Sequence, residues 1–297
     1  MRVLVIDNLV SGLRSGAIHD FLRNFLRNGD EITIRATDGS APVSSMLKDA
    51  RDFDLVVPSG GDATIAAVCY ELRYSGLPIL PFPAGTANLI AININSSEEP
   101  STLAQIARHM NTANYDIGEI SFGSAEARQT AGFAVIAGAG YDATIMRRAE
   151  RLKNSLGPLA YLGAALSEPN PTVAHFVVEV DDGVLEMDGI AVLVINFAQI
   201  FPDLSITHGN DAADGLFEVA IVKKQHSVEL LPALFAAFLD SLGNFPGRAD
   251  AIELRRSASV RVCSDPPLQI QYDGEAVGVH TPFEAFILPG ATRFVVA

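Results

Sequence analysis

Residues 54–68 read DLVVPSGGDATIAAV, and this stretch limits the fold more tightly than any other. LVV is a continuous apolar run, the pattern of a strand buried on both faces, and residues 65–72 resume the apolar spacing of a helix. Between them stand Gly60, Gly61, Asp62, Ala63 and Thr64. A strand that enters a helix through two glycines leaves unshielded backbone N–H groups at a helix N-terminus, where the partial positive charge favours an anion. The missing Cβ atoms let a phosphate lie against the main chain. The competing reading is structural: residues 59–64 are a tight turn, with Asp62 capping its own helix.

The surrounding sequence repeats the alternation. Residues 3–6 are an all-apolar strand. Ile18, Phe21, Leu22, Phe25 and Leu26 fall at helical spacing, residues 31–35 alternate, and LPILPFP (residues 77–83) is another extended piece. Strands separated by helices predict a doubly wound parallel sheet. Beyond residue 117 the texture becomes short β-branched and aromatic runs punctuated by Gly and Asp, with VDDGV (residues 180–184) a hairpin turn. The fold class expected is therefore α/β plus β. An α/β nucleotide-binding domain (residues 1–118) precedes a largely antiparallel β-sandwich domain (residues 119–297), with the return of the last strands to the first domain left open. Helices are expected near residues 144–153, 159–166 and 228–242.

Length and charge narrow the function. The chain has 297 residues, 48% of them hydrophobic, enough for two cores, and a formal net charge of −14. That charge, with no basic block, argues against nucleic-acid binding. It also argues against a broad electrostatic grip on anionic lipid, so any membrane-surface contact should be local and mostly apolar. Cys69 and Cys263 form no paired pattern, which suits a reducing compartment, and both are expected to be buried thiols. No run of 18 apolar residues is present and the first residues read as a strand, so the reading is a cytoplasmic protein. The six histidines show no paired ligand spacing.

A second turn strengthens the phosphate reading. PFPAGTANLIA (residues 81–91) again follows an extended run and contains Gly85, Thr86 and Asn88. Two such turns at the carboxyl ends of parallel strands can converge on one crevice. Neither is a Walker motif, and neither has GxGxxG spacing.

Together with these residues, three more stretches carry a resemblance. GGDAT is similar to the GGDGT signature shared by diacylglycerol, sphingosine and ceramide kinases, NAD kinases and 6-phosphofructokinases. PAGTAN, NSLGPLAYLGAAL, NDAADGLFEV and YDGE resemble further motifs of the diacylglycerol kinase catalytic family in order and spacing across nearly the whole chain. The resemblance implies an NAD-kinase/diacylglycerol-kinase-like fold, with ATP bound between the two domains and Mg²⁺ as cofactor. It implies that Gly60, Gly61, Asp62, Ala63 and Thr64 surround the phosphates. Gly85, Thr86 and Asn88 would reach the nucleotide from the second turn. Thr37 follows the second strand, and Asn8, Ser11 and Gly12 of DNLVSG line the same cleft. By similarity Glu275 is the base that accepts the proton of the attacking hydroxyl. Asp273 is expected on the same side of an extended segment, in an Mg²⁺ network with Asp62. Asp211, Asp214 and the Leu216 carbonyl match a second, structural or regulatory Mg²⁺ site; the plain alternative is an ordinary acidic loop. YDGE alone reads equally as a hairpin turn with solvated acids.

The implied activity is ATP-dependent phosphorylation of a diacylglycerol hydroxyl to give phosphatidic acid, carried out peripherally at the inner membrane surface. Ceramide or another sphingoid lipid, NAD, and a catalytically degenerate lipid- or nucleotide-binding protein are the alternatives. A homodimer, common among similar proteins, is left open, and the helices between residues 144 and 166 with the apolar stretch 230–239 could line an acyl pocket or simply be core. Four departures stand out: Leu9 where proline is usual, Ala63 in place of glycine, Leu89 where aspartate is frequent, and no Gly-Gly pair within residues 196–205. Ala63 matters most if its position needs positive φ.

Overall fold

The structure is a computed structural model that describes residues 1–12, 16–140, 172–201, 204–205, 207, 209–223 and 252–297. The helices expected near residues 144–153, 159–166 and 228–242, and the proposed acyl-pocket stretch, lie outside these residues.

The N-terminal half runs β1 (Arg2–Asn8), α1 (Ala17–Phe25), β2 (Glu31–Thr37), β3 (Leu55–Gly60), α2 (Asp62–Glu71), β4 (Pro78–Ile79), β5 (Phe82–Pro83), α3 (Leu89–Asn93) and α4 (Pro100–His109). β1 lies between β2 and β3, parallel to both, and β3 pairs in parallel with β4 and β5. The period-2 alternation of β1 explains the two layers of helix. Val3 and Val5 pack with Ile18, Phe21, Leu22 and Phe25 of α1 and Leu103, Ile106 and Ala107 of α4. Leu4 and Ile6 face the other way, onto Ile65, Ala66, Val68 and Cys69 of α2. The α1 stripe ends one residue before the spacing predicts, because Leu26 is already the extended C-cap and is exposed. Helix α4 has no counterpart in the sequence reading, although Pro100 at its first turn and buried Leu103, Ala104, Ile106 and Ala107 carry a start signal and a helical stripe.

The second half is antiparallel: β6 (Thr112–Phe122), β7 (Gln129–Phe133), β8 (Ile136–Gly140), β9 (Ala174–Val180), β10 (Gly183–Ile195), β11 (Gln199–Phe201), β12 (Leu204–Ser205), β13 (Phe217–Lys223), β14 (Ile252–Ser257), β15 (Ser259–Asp265), β16 (Gln269–Tyr272), β17 (Glu275–His280) and β18 (Phe283–Val295). Val180 pairs with Gly183, so Asp181 and Asp182 form the two-residue hairpin turn that VDDGV predicts. Phe133, Phe176, Phe217 and Phe283 are buried in the core of this half together with Val178, Val194 and Ile270. Cys69 is buried, whereas Cys263 on β15 is only half-buried, because its side of the strand is not fully covered.

Strand β18 joins the halves. One edge pairs antiparallel with β6 on both sides of an irregularity between Leu288 and Thr292; the other pairs antiparallel with β15 over Phe283–Phe286 and then, at Arg293 and Phe294, in parallel with Pro78 and Ile79 of β4. Phe294 and Val295 fall in the cores on opposite faces of the N-terminal sheet. A second tie is Tyr70 of α2: its hydroxyl donates to Glu119 of β6 (2.6 Å), and the Arg73 guanidinium lies 4.1 Å from its ring centre. Burial and then the Glu119 carboxylate push the Tyr70 pKa up to about 12, so this donor stays protonated. Phe294→Ala should cost about 3–5 kcal/mol of stability, read as a lower urea midpoint, because the cavity opens where the two halves meet.

Candidate active site

Three turns meet at the carboxyl ends of β1, β3 and β5. Gly61 and Gly85 are so close that a Cβ on Gly85 would lie 2.5 Å from the Gly61 Cα, and one on Gly12, which has φ +57°, would lie 2.2 Å from the Ala84 carbonyl oxygen. The Asn8 side-chain amide donates to Thr64 Oγ1 (2.8 Å), and the Gly61 N–H donates to Ser11 Oγ (3.2 Å). Thr37 is buried opposite Asn8 in the β1–β2 register; its hydroxyl accepts from the Gly39 N–H and its carbonyl from the Leu9 N–H. Asn8, Ser11, Gly12, Thr37, Gly60, Gly61, Thr64 and Gly85 thus form one cradle. Thr86 sits exposed in the same turn; Asn88 is buried in the left-handed region with its Oδ1 lacking a hydrogen-bond partner.

Gly61 is the informative glycine. Its φ of −82° suits any residue, and an added Cβ would meet only the Gly85 Cα at an ordinary 3.7 Å. The fold therefore does not require glycine there, and the open space above the backbone is what remains to explain. Ala63 lies inside α2 with no positive φ, so it carries no strain and suits a helix better than glycine. Asp62 does not cap its own helix, whose N-cap is Gly61; instead its carboxylate accepts the Ile90 N–H (2.9 Å) in the first turn of α3. Leu89, at the position where aspartate is frequent, is buried in the core beneath α2.

The segment containing Asp273 and Glu275 is not extended, contrary to the expectation. Asp273 (φ +45°) and Gly274 (φ +83°) are the two turn residues between β16 and β17, a conformation Asp-Gly favours. Nor is Asp273 solvated. Its carboxylate accepts the N–H groups of Ala134 and Val135 (both 2.8 Å) and Ile136 (3.1 Å). Burial, joined by the charge of Asp62, pushes its pKa up to about 7 against the pull of those three amides. Asp62 and Asp273, from different halves, therefore sense each other across the cleft, while Glu275 begins β17 exposed. Carboxylate oxygens are hard donors of the kind a divalent cation takes.

Asp211 and Asp214 lie on the loop before β13, both exposed. Asp211 accepts the Ala213 N–H; Asp214 accepts the Leu216 N–H and is ion-paired with Arg256. The sequence reading misses the group they surround. Asp116 of β6 is buried and accepts the N–H groups of Gly215 and Gly290 (both 2.7 Å), and its pKa is raised by burial and then by Asp214 and Asp211. Buried Asn196 donates to the Asp116 carbonyl (3.1 Å) and the Ala134 carbonyl (2.8 Å), connecting β6 to the segment between β7 and β8 whose amides hold Asp273. The available signals were a lone aspartate in YDIGEI and an asparagine ending the apolar run AVLVIN. Among the described residues, no group of three or more His, Cys, Asp or Glu is gathered as a metal cluster.

Two outcomes follow. Asn196→Leu leaves two buried carbonyls without a donor and should lower stability by about 1–3 kcal/mol, checked by urea unfolding. Asp273 has a pKa above its ordinary 3.8 in the folded chain, so the folded state holds this proton more tightly. Its contribution is fully present below about pH 4 and is lost as pH rises to about 7. In EDTA, Asp273→Asn should flatten that decline in a pH series of unfolding midpoints.

The profile of the diacylglycerol kinase catalytic domain matches residues 2–120, and that of the YegS C-terminal NAD kinase beta sandwich-like domain matches residues 134–296. The chain is 26% identical over 273 residues to an uncharacterized protein of Synechocystis sp., covering 86% of this chain but only 59% of that protein's length. It is 27% identical over 304 residues to the diacylglycerol kinase of Bacillus subtilis (94% of this chain, 91% of the relative). With the diacylglycerol kinase of Mycobacterium tuberculosis it shares 25% over 255 residues (82% and 77%). A solved Bacillus anthracis structure described as a candidate diacylglycerol kinase superposes with a TM-score of 0.77 at 18% identity, covering 100% of this chain and 97% of that one. That likeness shows the fold, an α/β domain joined to an NAD-kinase-like β-sandwich. With both of its halves matched in order, the chain belongs to the bacterial diacylglycerol-kinase-like family of lipid kinases.

Proposed function

We propose that the chain transfers the γ-phosphoryl group of Mg-ATP to the primary hydroxyl of diacylglycerol, giving phosphatidic acid. The observation that carries this reading is the Gly61–Gly85 approach, which leaves bare backbone beside Asp62, the carboxylate whose charge reaches Asp273 of the other half. The diacylglycerol kinase names of the relatives support the acceptor. The nucleotide phosphates would lie on the Gly60–Gly61 and Gly85–Thr86 backbone, bounded by Asn8, Ser11, Gly12, Thr37, Ala63, Thr64 and Asn88. Asp62 and Asp273 would hold the Mg²⁺ that neutralises phosphate charge. Glu275 accepts the hydroxyl proton as the substrate oxygen forms its bond to the γ-phosphorus and the bond to the β-phosphate oxygen breaks, releasing ADP. Its exposure keeps it open to an incoming lipid headgroup. A second Mg²⁺ at Asp211, Asp214 and the Leu216 carbonyl would displace the Arg256 ion pair and sit against Asp116. The proposed setting is the cytoplasmic membrane surface, with a homodimer open to test.

Labelled Mg-ATP offered with diacylglycerol, ceramide or NAD should yield product on diacylglycerol. Glu275→Ala should lower turnover by about 10²–10⁴-fold while ATP still binds; unchanged turnover would remove Glu275 as the base, and product on NAD alone would overturn the lipid reading. Gly61→Ala should fold with near-normal stability yet lose ATP affinity by at least tenfold in calorimetric titration, because its Cβ occupies phosphate space.

A further inference from the structure

The turn after β1 breaks the usual turn chemistry. The Ser11 N–H donates to the Asn8 carbonyl (3.1 Å), closing a four-residue turn whose central residues are Leu9 and Val10. Such positions favour Gly, Pro, Asn, Asp or Ser, and a β-branched valine gains nothing there. Leu9 is 60% and Val10 69% exposed; among the described residues no other exposed large hydrophobics are neighbours in sequence. Neither belongs to a core cluster. Folding therefore gives no reason for two aliphatic side chains at this tip.

The tip is nevertheless held firmly. The Leu9 N–H donates to the Thr37 carbonyl (2.9 Å) and the Val10 N–H to Asn8 Oδ1 (3.2 Å). Asn8 and Ser11, on either side, hold Thr64 and the Gly61 N–H, and Gly12 lies against the Ala84 carbonyl. The exposed pair is thus a rigid extension of the phosphate cradle.

We infer that Leu9 and Val10 form an apolar wedge that enters a lipid bilayer and sets the cleft against its surface. This rests on the lipid-kinase reading only for its purpose: the acceptor hydroxyl lies in a bilayer and must be met there. Charge decides the kind of bilayer. With a net charge of −14 the chain is repelled by anionic headgroups, so the wedge suits a surface of low charge. Two aliphatic side chains give shallow, reversible anchoring, which lets a product lipid leave.

The test is cosedimentation of the full chain with phosphatidylcholine–diacylglycerol vesicles, with and without added phosphatidylglycerol, for the wild type and Leu9→Ser/Val10→Ser. The wild type should bind, more weakly when phosphatidylglycerol is present. The double variant should bind at least tenfold more weakly, with unchanged thermal unfolding, ATP affinity and turnover of a monomeric short-chain diacylglycerol. Equal vesicle binding by both proteins, or none by the wild type, overturns the wedge. So does weakened ATP binding, which would place the pair in the nucleotide pocket, or a change from dimer to monomer on centrifugation, which would make the tip a contact between copies. If no lipid is phosphorylated but vesicle binding still depends on the pair, the wedge stands and the substrate reading falls.

Discussion

The architecture depends on β18, the strand through which the two halves become one continuous sheet. A strand hydrogen-bonds along both edges, so pairing antiparallel with β6 and β15 and then in parallel with β4 holds the two halves in one ladder. The change of partner occurs around Pro289 and Gly290, and Gly290 has φ +58°. The same place donates its N–H to buried Asp116, so the bend in the strand also satisfies a carboxylate that burial would otherwise penalise. This seam, the Tyr70–Glu119 hydrogen bond and the core cluster that contains residues of both halves bring Asp62 and Asp273 into one body.

Small residues and buried acids divide the work of the site. Gly85 and Gly12 are glycine because other backbone passes too near, which is a fold requirement; Gly61 is glycine without any such requirement, which points outward to a ligand. The carboxylates differ in their charged neighbours. Asp116 and Asp273 are each held by backbone amides and each raised in pKa first by desolvation; at Asp116 the neighbouring charges are Asp214 and Asp211 of one loop, whereas at Asp273 the added charge is Asp62 from the other half of the chain. A pair of like charges retained across a domain boundary destabilises the empty fold, an arrangement characteristic of functional sites.

Much of this was legible in the sequence. The apolar runs and helical spacings of residues 3–6, 18–25 and 55–72 imply the doubly wound half because period 2 and period 3.6 are local properties of the chain. GGDAT and PAGTAN marked the turns, because glycine and its neighbours report backbone demands directly. Where the reading failed, a distant partner decided the outcome. YDGE was expected to be extended, and its hairpin turn leaves one acid half-buried against three backbone amides and the other exposed. The competing structural reading had Asp62 capping α2, and its carboxylate instead accepts an N–H in the first turn of α3. Asp116 and Asn196 drew no notice, since their role consists of hydrogen bonds to strands that lie far away in sequence.

The sequence by itself therefore determined the family, the alternation of elements and the phosphate-friendly chemistry of two turns, all of which depend on residues close together along the chain. Only the tertiary structure decided that the last strand pairs with the first half, that Gly61 meets Gly85, and that Asp273 is half-buried on three amides within reach of the Asp62 charge. These are pairings between segments separated by tens to hundreds of residues. Nothing in the local sequence encodes such a distance, because it is set by the packing of whole sheets and helices against one another.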